Sequence, residues 1–318
     1  MMERRYNVLT DEWVMISAFT QQRPTNPTTT CPLCVGGDEF SRPYDLASFD
    51  NRFPSMKVDA PNVESENSLY KKARSNGKCE VVVYTVDHNS AMSLMPIHQI
   101  EKLIKMWTDR YLELSLQPTI KYVFIFENRG AEVGATLSHP HGQLYAFPFL
   151  PKRIEAKVQS LAKYYDEHGR CAICDVVENE VSIRERLVYE NESFVALVPF
   201  YARWPYEVHV YPKRHVSSLV ELNNYERNLL SKVLKVVTMK YDLLFQQSFP
   251  YMMMLFQSPV NDVRYEHAFH FHIEFNPVKR DKNKIKWMAS VETGTWAFIN
   301  PKLPEEAAAE LRSVEVII

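Results

Sequence analysis

The residues best placed to do chemistry lie in Ser138-His139-Pro140-His141-Gly142-Gln143, where an apolar stretch of chain runs into two histidines at i and i+2 and then a glutamine. In an extended segment, side chains two apart leave the same face, so His139, His141 and Gln143 can serve one site. A neutral imidazole is a good nucleophile toward phosphorus. An amide in the third place can donate a hydrogen bond to a phosphoryl oxygen without exchanging protons, whereas a histidine there could protonate a leaving group and favour hydrolysis. The pattern therefore favours transfer through a covalent intermediate over hydrolysis. A lone histidine would more simply be a hydrogen-bonded core residue. His141 is set apart by the stretch just before it, Asn128-Arg129-Gly130-Ala131-Glu132-Val133-Gly134-Ala135-Thr136. Its glycines and the Thr136 hydroxyl would let backbone N–H groups approach phosphate oxygens.

Elements must bring these residues together, and the cysteines show how. Cys31-Pro32-Leu33-Cys34 and Cys171-Ala172-Ile173-Cys174 are two CxxC pairs, and Cys79 stands alone. Each pair heads the same series of segments. In the first half a strand-like run Glu80–Val86 leads to Asp87-His88, a helix-like stretch from Pro96 to Leu116, a strand Tyr122–Glu127 and His139-Pro140-His141. In the second, strands Phe194–Val198 and Glu207–Tyr211 lead to Lys213-Arg214-His215, a helix-like stretch from Glu221 to Gln246, a strand Tyr251–Leu255 and His270-Phe271-His272. The order Cys, Cys, His, His recurs, which is the mark of an internal repeat. Each half could then close one tetrahedral zinc site: Cys31, Cys34, His88 and His139 in the first, Cys171, Cys174, His215 and His270 in the second. Four protein ligands leave no open position, so such zincs would stabilise the fold and orient loops without activating water. The competing readings of CxxC are a thioredoxin-like redox pair, disfavoured because neither pair is expected to follow a strand and open a helix, and plain burial of small residues.

Composition limits the function classes. The 318 residues suffice for about two domains, and a hydrophobic content of 46% with 24% charged residues is ordinary for a soluble globular chain. A formal net charge of −2 makes no field that would gather nucleic acid or an anionic membrane. No apolar run reaches the ~20 residues that span a bilayer. The start, Met1-Met2-Glu3-Arg4-Arg5-Tyr6, lacks the apolar core of a signal peptide, so a cytoplasmic protein is expected. Pro148-Phe149-Leu150-Pro151-Lys152-Arg153 reads as a linker, followed by a helix from Ile154 to His168. The division expected is 1–152 and 153–318. Pro304 to Ser313 reads as a C-terminal helix, with Pro304 near its start and Glu305 and Glu306 in its first turn.

Taken together these motifs resemble the galactose-1-phosphate uridylyltransferase family, the tandem-repeat transferase branch of the histidine-triad superfamily. The resemblance covers nearly the whole chain. It rests on Cys31-Pro32-Leu33-Cys34, Asp50-Asn51-Arg52-Phe53-Pro54, Asp87-His88, Phe126-Glu127-Asn128-Arg129-Gly130, His139-Pro140-His141-Gly142-Gln143, Leu197-Val198-Pro199-Phe200 with Trp204-Pro205, and Phe249-Pro250-Tyr251. It implies an α+β fold of two tandem histidine-triad-like half-domains, antiparallel sheets flanked by helices, joined as one pseudo-symmetric subunit. The implied activity is exchange of a uridylyl group between UDP-glucose and galactose 1-phosphate, a step of galactose metabolism, giving UDP-galactose and glucose 1-phosphate by a ping-pong route through a uridylyl-histidine. His141 then matches the nucleophile and Gln143 the donor to the transferred group. Asn128 and Thr136 match phosphate and sugar-phosphate contacts, Thr136 standing where serine is common. Asn51, Arg52 and Phe53 match the uridine-ribose segment, Arg52 standing where some members carry aspartate. The family implies a homodimer whose site is completed by the partner; Lys286, Trp287, Val291 and Glu292 fall in the segment supplied in trans, and Arg23 matches a phosphate-reaching arginine.

Some members hold the second metal with a glutamate and three histidines. Here Phe256 or Gln257 falls near one expected histidine, Glu155 falls near the glutamate, and Cys171 and Cys174 offer alternative ligands. The stretch Thr293–Asn300 after Glu292 is longer than in the best-known members and bears on hexose preference. The nearest alternative activity is an ADP-glucose phosphorylase using the same His141 and Gln143. A nucleotide hydrolase and a zinc-stabilised binding module without turnover are more distant alternatives. No Walker-type loop is present, which argues against a P-loop kinase. The ligand pattern predicts about two zinc ions per chain; elemental analysis of protein purified without chelator checks this, and finding none would overturn the tetrahedral reading.

Overall fold

The computed structural model describes residues 2–22 and 31–318; Arg23 lies outside them. A small sheet orders as β2-β1-β4, from Met2–Asn7 (β1), Glu12–Ser17 (β2) and Lys72–Arg74 (β4). The main sheet has nine strands. Ala47–Asp50 (β3), Lys78–Val83 (β5), Tyr122–Arg129 (β6) and His141–Phe147 (β7) come from the first half of the chain. Leu187–Glu190 (β8), Phe194–Leu197 (β9), Val208–Pro212 (β10), Tyr251–Phe256 (β11) and His272–Pro277 (β12) come from the second. The strand order β3-β5-β7-β6-β11-β12-β10-β9-β8 is antiparallel throughout.

The halves meet where β6 pairs with β11, Ile125 opposite Leu255 and Asn128 opposite Met252. Each would otherwise present an open row of unpaired backbone groups, a liability that pairing removes. From this centre the strands match outward: β7 with β12, β5 with β10, β3 with β9. The expected repeat is thus built as one continuous sheet.

One face is covered by Ile97–Ser115 (α1) and Asn224–Phe245 (α4), which pack on each other. Their buried residues recur at three- and four-residue spacing, as Ile100, Leu103, Ile104 and Trp107 do in α1. They close a core over Val123, Ile125, Leu144, Leu255, Ile273 and Phe275. α4 starts at a capping box: Asn223 accepts from the Glu226 N–H at 3.0 Å and Glu226 accepts from the Asn223 N–H at 2.9 Å. This fixes its start three residues later than the Glu221 expected from periodicity. The opposite face carries Lys152–His168 (α2) over Tyr122, Phe147 and Phe256, and Ala172–Ile183 (α3) over Val195 and Leu197. Ser290–Thr295 (α5) and Pro304–Ser313 (α6) complete the chain, α6 with the bounds expected from sequence.

Three expectations need correction. Cys171 is the N-cap of α3, so the second CxxC pair does open a helix, although it follows helix α2 and not a strand. The strand expected over 80–86 stops at Val83, because the Thr85 carbonyl leaves the ladder to accept from His139 Nε2 at 2.8 Å. The strand expected from Glu207 starts at Val208, because the Glu207 carboxylate turns back to accept from the Arg203 and Trp204 N–H groups at 2.6 and 3.0 Å.

Under the helical face lies a buried acid. Glu127 on β6 accepts from the Tyr251 hydroxyl at 3.1 Å, and burial pushes its carboxyl up to about 7. The folded form therefore binds a proton that the unfolded chain releases near its ordinary pKa of 4.5. Stability contributed by this group is full below about 4.5 and falls as pH rises to about 7, by about 3 kcal/mol at most. Glu127→Gln should flatten that slope, checked by urea unfolding of both proteins at pH 5 and pH 8.

Candidate active site

The two Cys/His groups expected from the repeat are assembled. Cys34 Sγ lies 3.4 Å from His88 Nδ1 and 3.6 Å from His139 Nδ1, and Cys31 Sγ lies 3.9 Å from His139 Nδ1. In the second group Cys174 Sγ lies 3.7 Å from His215 Nδ1 and 3.4 Å from His270 Nδ1, and Cys171 Sγ lies 3.8 Å from His270 Nδ1. A tetrahedral zinc with bonds of ~2.3 Å to sulfur and ~2.05 Å to nitrogen spaces S and N by about 3.5 Å. Both groups fit a metal of that kind. The far nitrogens are held as metal-ligating histidines require: His139 Nε2 donates to the Thr85 carbonyl at 2.8 Å, His270 Nε2 to that of Pro212 at 3.1 Å and His215 Nε2 to that of Glu266 at 2.9 Å. Burial lowers the pKa of His139, which keeps its imidazole neutral as a ligand must be.

His141 follows as the first residue of β7 and is buried. Its Nδ1–H donates to the His139 carbonyl at 2.8 Å, so the imidazole lone pair sits on Nε2. Gln143 leaves the same face, where Asn51 Nδ2 donates to its Oε1 at 3.3 Å, leaving the amide NH₂ as the end that can donate to a substrate. Asn51 Oδ1 in turn accepts from the Phe53 N–H at 2.9 Å. Gly142 faces the helical side beneath them. A Cβ there would lie 2.2 Å from the Tyr84 hydroxyl and 2.9 Å from the Phe126 carbonyl, so only glycine fits between His141 and Gln143.

Two cavities lie on the first half, one against Asn51 and one against the loop after β6. One, of about 260 Å³, is lined by Asn51, Pro54, Lys78 and Cys79. The other, of about 280 Å³, is lined by Asn89, Ser90, Arg129, Gly130, Ala135 and Ser138. The loop walling the second turns at Gly130 and Gly134, with φ of 98° and 81°, left-handed values that glycine adopts without strain. Arg129 anchors that loop through a bidentate pair with Asp242 of α4, at 3.0 and 2.9 Å. Asn128 and Thr136 lie at the two ends of the loop, both half-buried.

Other expected residues are placed differently. Arg52 is half-exposed and ion-paired with Asp38 and Glu39, at 3.2 and 2.9 Å, on the loop after the first CxxC pair. Lys286 and Glu292 pair with each other, and the Lys286 ammonium helps pull Glu292 down to about 2. Trp287 and Val291 beside them are 68% and 45% exposed. The position near the family's histidine is Phe256, whose ring stacks on His272 at 5.1 Å; Gln257 instead accepts from the Leu219 N–H. Glu155 bonds Lys152 of its own helix.

Sequence reasoning missed a buried polar cluster around His272. Glu274, two residues on, meets Lys157 and Arg153 of α2 at 2.5 and 2.8 Å, and His209 bonds Glu207 at 2.7 Å. Burial draws Lys157 down to about 8 and His272 down to about 3. Desolvation would raise Glu274, but the surrounding cations hold it well below the usual carboxylate range. Aligning the two H-x-H motifs one step further, Gln143 against Glu274, is the signal that would have found it.

Comparison with solved structures defines the class: the fold is that of the uridylyltransferases. A structure described as that of a uridylyltransferase matches with a TM-score of 0.90 and 34% identity, over 98% of this chain and 98% of that one. The chain belongs to the galactose-1-phosphate uridylyltransferase family, whose N-terminal domain model matches residues 1–151 and C-terminal domain model residues 157–315. The galactose-1-phosphate uridylyltransferase of Thermotoga maritima is 62% identical over 320 residues, covering 100% of both chains. An ADP-glucose phosphorylase from Arabidopsis thaliana, covering 100% of both chains with a TM-score of 0.77 and 23% identity, shares the fold.

Gly142→Ala is expected to drive the new methyl into Tyr84, displace His141 and Gln143, and cost about 1–3 kcal/mol of stability. Differential unfolding and turnover together check this; an unchanged kcat would overturn the close fit.

Proposed function

We propose that this protein exchanges a uridylyl group between UDP-glucose and galactose 1-phosphate by a double displacement at His141. The observation that carries the reading is the Nδ1–H bond of His141 to the His139 carbonyl, which leaves Nε2 as the nucleophilic nitrogen on the face that Gln143 shares. His141 Nε2 attacks the α-phosphorus of UDP-glucose, a nitrogen–phosphorus bond forms, and the bond to the glucose 1-phosphate oxygen breaks. A phosphate oxygen of galactose 1-phosphate then attacks the same phosphorus and His141 leaves. No net proton moves, which suits a site whose third residue is an amide. Such transfer depends on in-line positioning and charge stabilisation more than on acid–base work.

Asn51, Arg52 and Phe53 are read as the nucleoside side of the site, and Asn128 with Thr136 as the phosphate side. Zinc is the metal that best suits two thiolates and two imidazoles in each Cys/His group. It would close each loop and, through His139, set where β7 begins. We read the chain as two half-domains, 1–152 and 153–318, acting as a homodimer. The exposed apolar side chains Trp287, Met288, Val291 and Trp296 support a partner surface there, with Lys286 and Glu292 as its polar contribution, and Arg23 is read as a phosphate contact. No helix among the described residues is long and apolar enough to cross a membrane; a cytoplasmic location belongs to the same reading.

Intact-mass measurement after incubation with UDP-glucose alone should show a uridylyl-sized addition that galactose 1-phosphate removes. An adenylyl addition from ADP-glucose, cleared by inorganic phosphate, would instead make the chain a phosphorylase. His141→Asn should show no adduct and lose about 10⁴-fold or more in transfer rate, while keeping its metal and melting temperature; loss of either would contradict the separation of nucleophile from ligand.

A further inference from the structure

The second half repeats the nucleophile's position but fills it differently. β7 and β12 are each one strand out from the central pair, and His272 begins β12 as His141 begins β7. Each histidine donates Nδ1–H to the carbonyl of the residue two before it, at 2.8 Å in both halves. The nitrogen that faces outward in the second half, His272 Nε2, lies 2.6 Å from Lys157 Nζ. The same ammonium is 2.5 Å from Glu274 Oε1 and 3.4 Å from the centre of the Phe256 ring. A carboxylate oxygen, an imidazole lone pair and an aromatic face are three partners of a cation. Behind them Glu207, His209 and Glu274 place one ligand atom each within 4.8 Å of one another, all buried. His272 Nε2 and His209 Nε2 stand 3.6 and 4.0 Å from Glu274 Oε1.

We propose that this cluster is a cation site whose cation is the protein's own: the Lys157 ammonium, carried in on α2, occupies the place of a divalent ion held by His272 and Glu274 with His209 and Glu207 behind them. The donor set of carboxylates and imidazoles is the kind that takes manganese, iron or zinc, in contrast to the thiolate groups elsewhere in the chain. Arg153, bonded to the other Glu274 oxygen at 2.8 Å, holds that carboxylate toward the lysine. The tether makes the site self-sufficient, since a covalently attached ammonium cannot be chelated away.

The test is removal of the tethered cation from the full-length, zinc-loaded protein. Lys157→Ala is titrated with manganese(II), which thiolate sites take poorly, following loss of the free-ion electron paramagnetic resonance signal and the melting temperature together. The expected result is a lower melting temperature without manganese, one manganese bound per chain at least about tenfold more tightly than by the unaltered protein, and recovery of the melting temperature on binding. Lys157→Ala combined with Glu274→Gln should lose both the uptake and the recovery. Lys157→Ser, which leaves room for water at the same place, gives the same reading should the alanine variant aggregate. Uptake equal to that of the unaltered protein, no uptake by either single variant, or uptake that survives Glu274→Gln would each overturn the proposal. Because the readout is binding and stability, the result is independent of which nucleotide the first half transfers.

Discussion

Pairing of β6 with β11 is the constraint on which the rest of this molecule depends. Each half satisfies the inner edge of its sheet through this pair, and the backbone groups along that edge are buried between α1 and α4 on one side and α2 on the other. Unpaired, they would carry the desolvation cost of unsatisfied polar groups. Once paired, the two repeats share one core, and the register places Asn128 and the loop that follows it at a fixed distance from the strand that carries His141. The Arg129–Asp242 ion pair adds a tie between the same two halves, from the end of β6 to α4.

From that frame the Cys/His groups act on strand ends. His139 and His270 each belong to a Cys/His group that could hold a metal ion, two residues before β7 or β12 begins. In an extended segment the second histidine of an H-x-H motif leaves the same face as the first, so holding the first also directs the second. The hydrogen bond from each second histidine to the carbonyl of the first completes the aim and selects its tautomer.

The two halves then diverge by a few side chains. Gln143 keeps a neutral partner in Asn51, whereas Glu274 draws a lysine and an arginine from α2. A neutral amide can wait for a charged substrate; a buried carboxylate cannot remain without a counter-ion. That difference separates a strand end that carries a neutral amide from a repeat that carries a buried ion cluster.

Much of this was legible in the residues. The repeated order of cysteines and histidines picked out both Cys/His groups that the fold assembles, the i, i+2 spacing placed His141 and Gln143 on one face, and apolar periodicity located α1, α4 and α6, because side-chain chemistry and local geometry act over short stretches of chain. What the sequence could not decide depended on distant partners. The end of β5 was set by the bond from His139 to the Thr85 carbonyl, Gly142 owes its identity to the Tyr84 hydroxyl, Arg52 is drawn to Asp38 and Glu39, and Lys157 finds His272 115 positions further along the chain. Such contacts exist only once burial has brought the segments together, so only the tertiary structure could assign them.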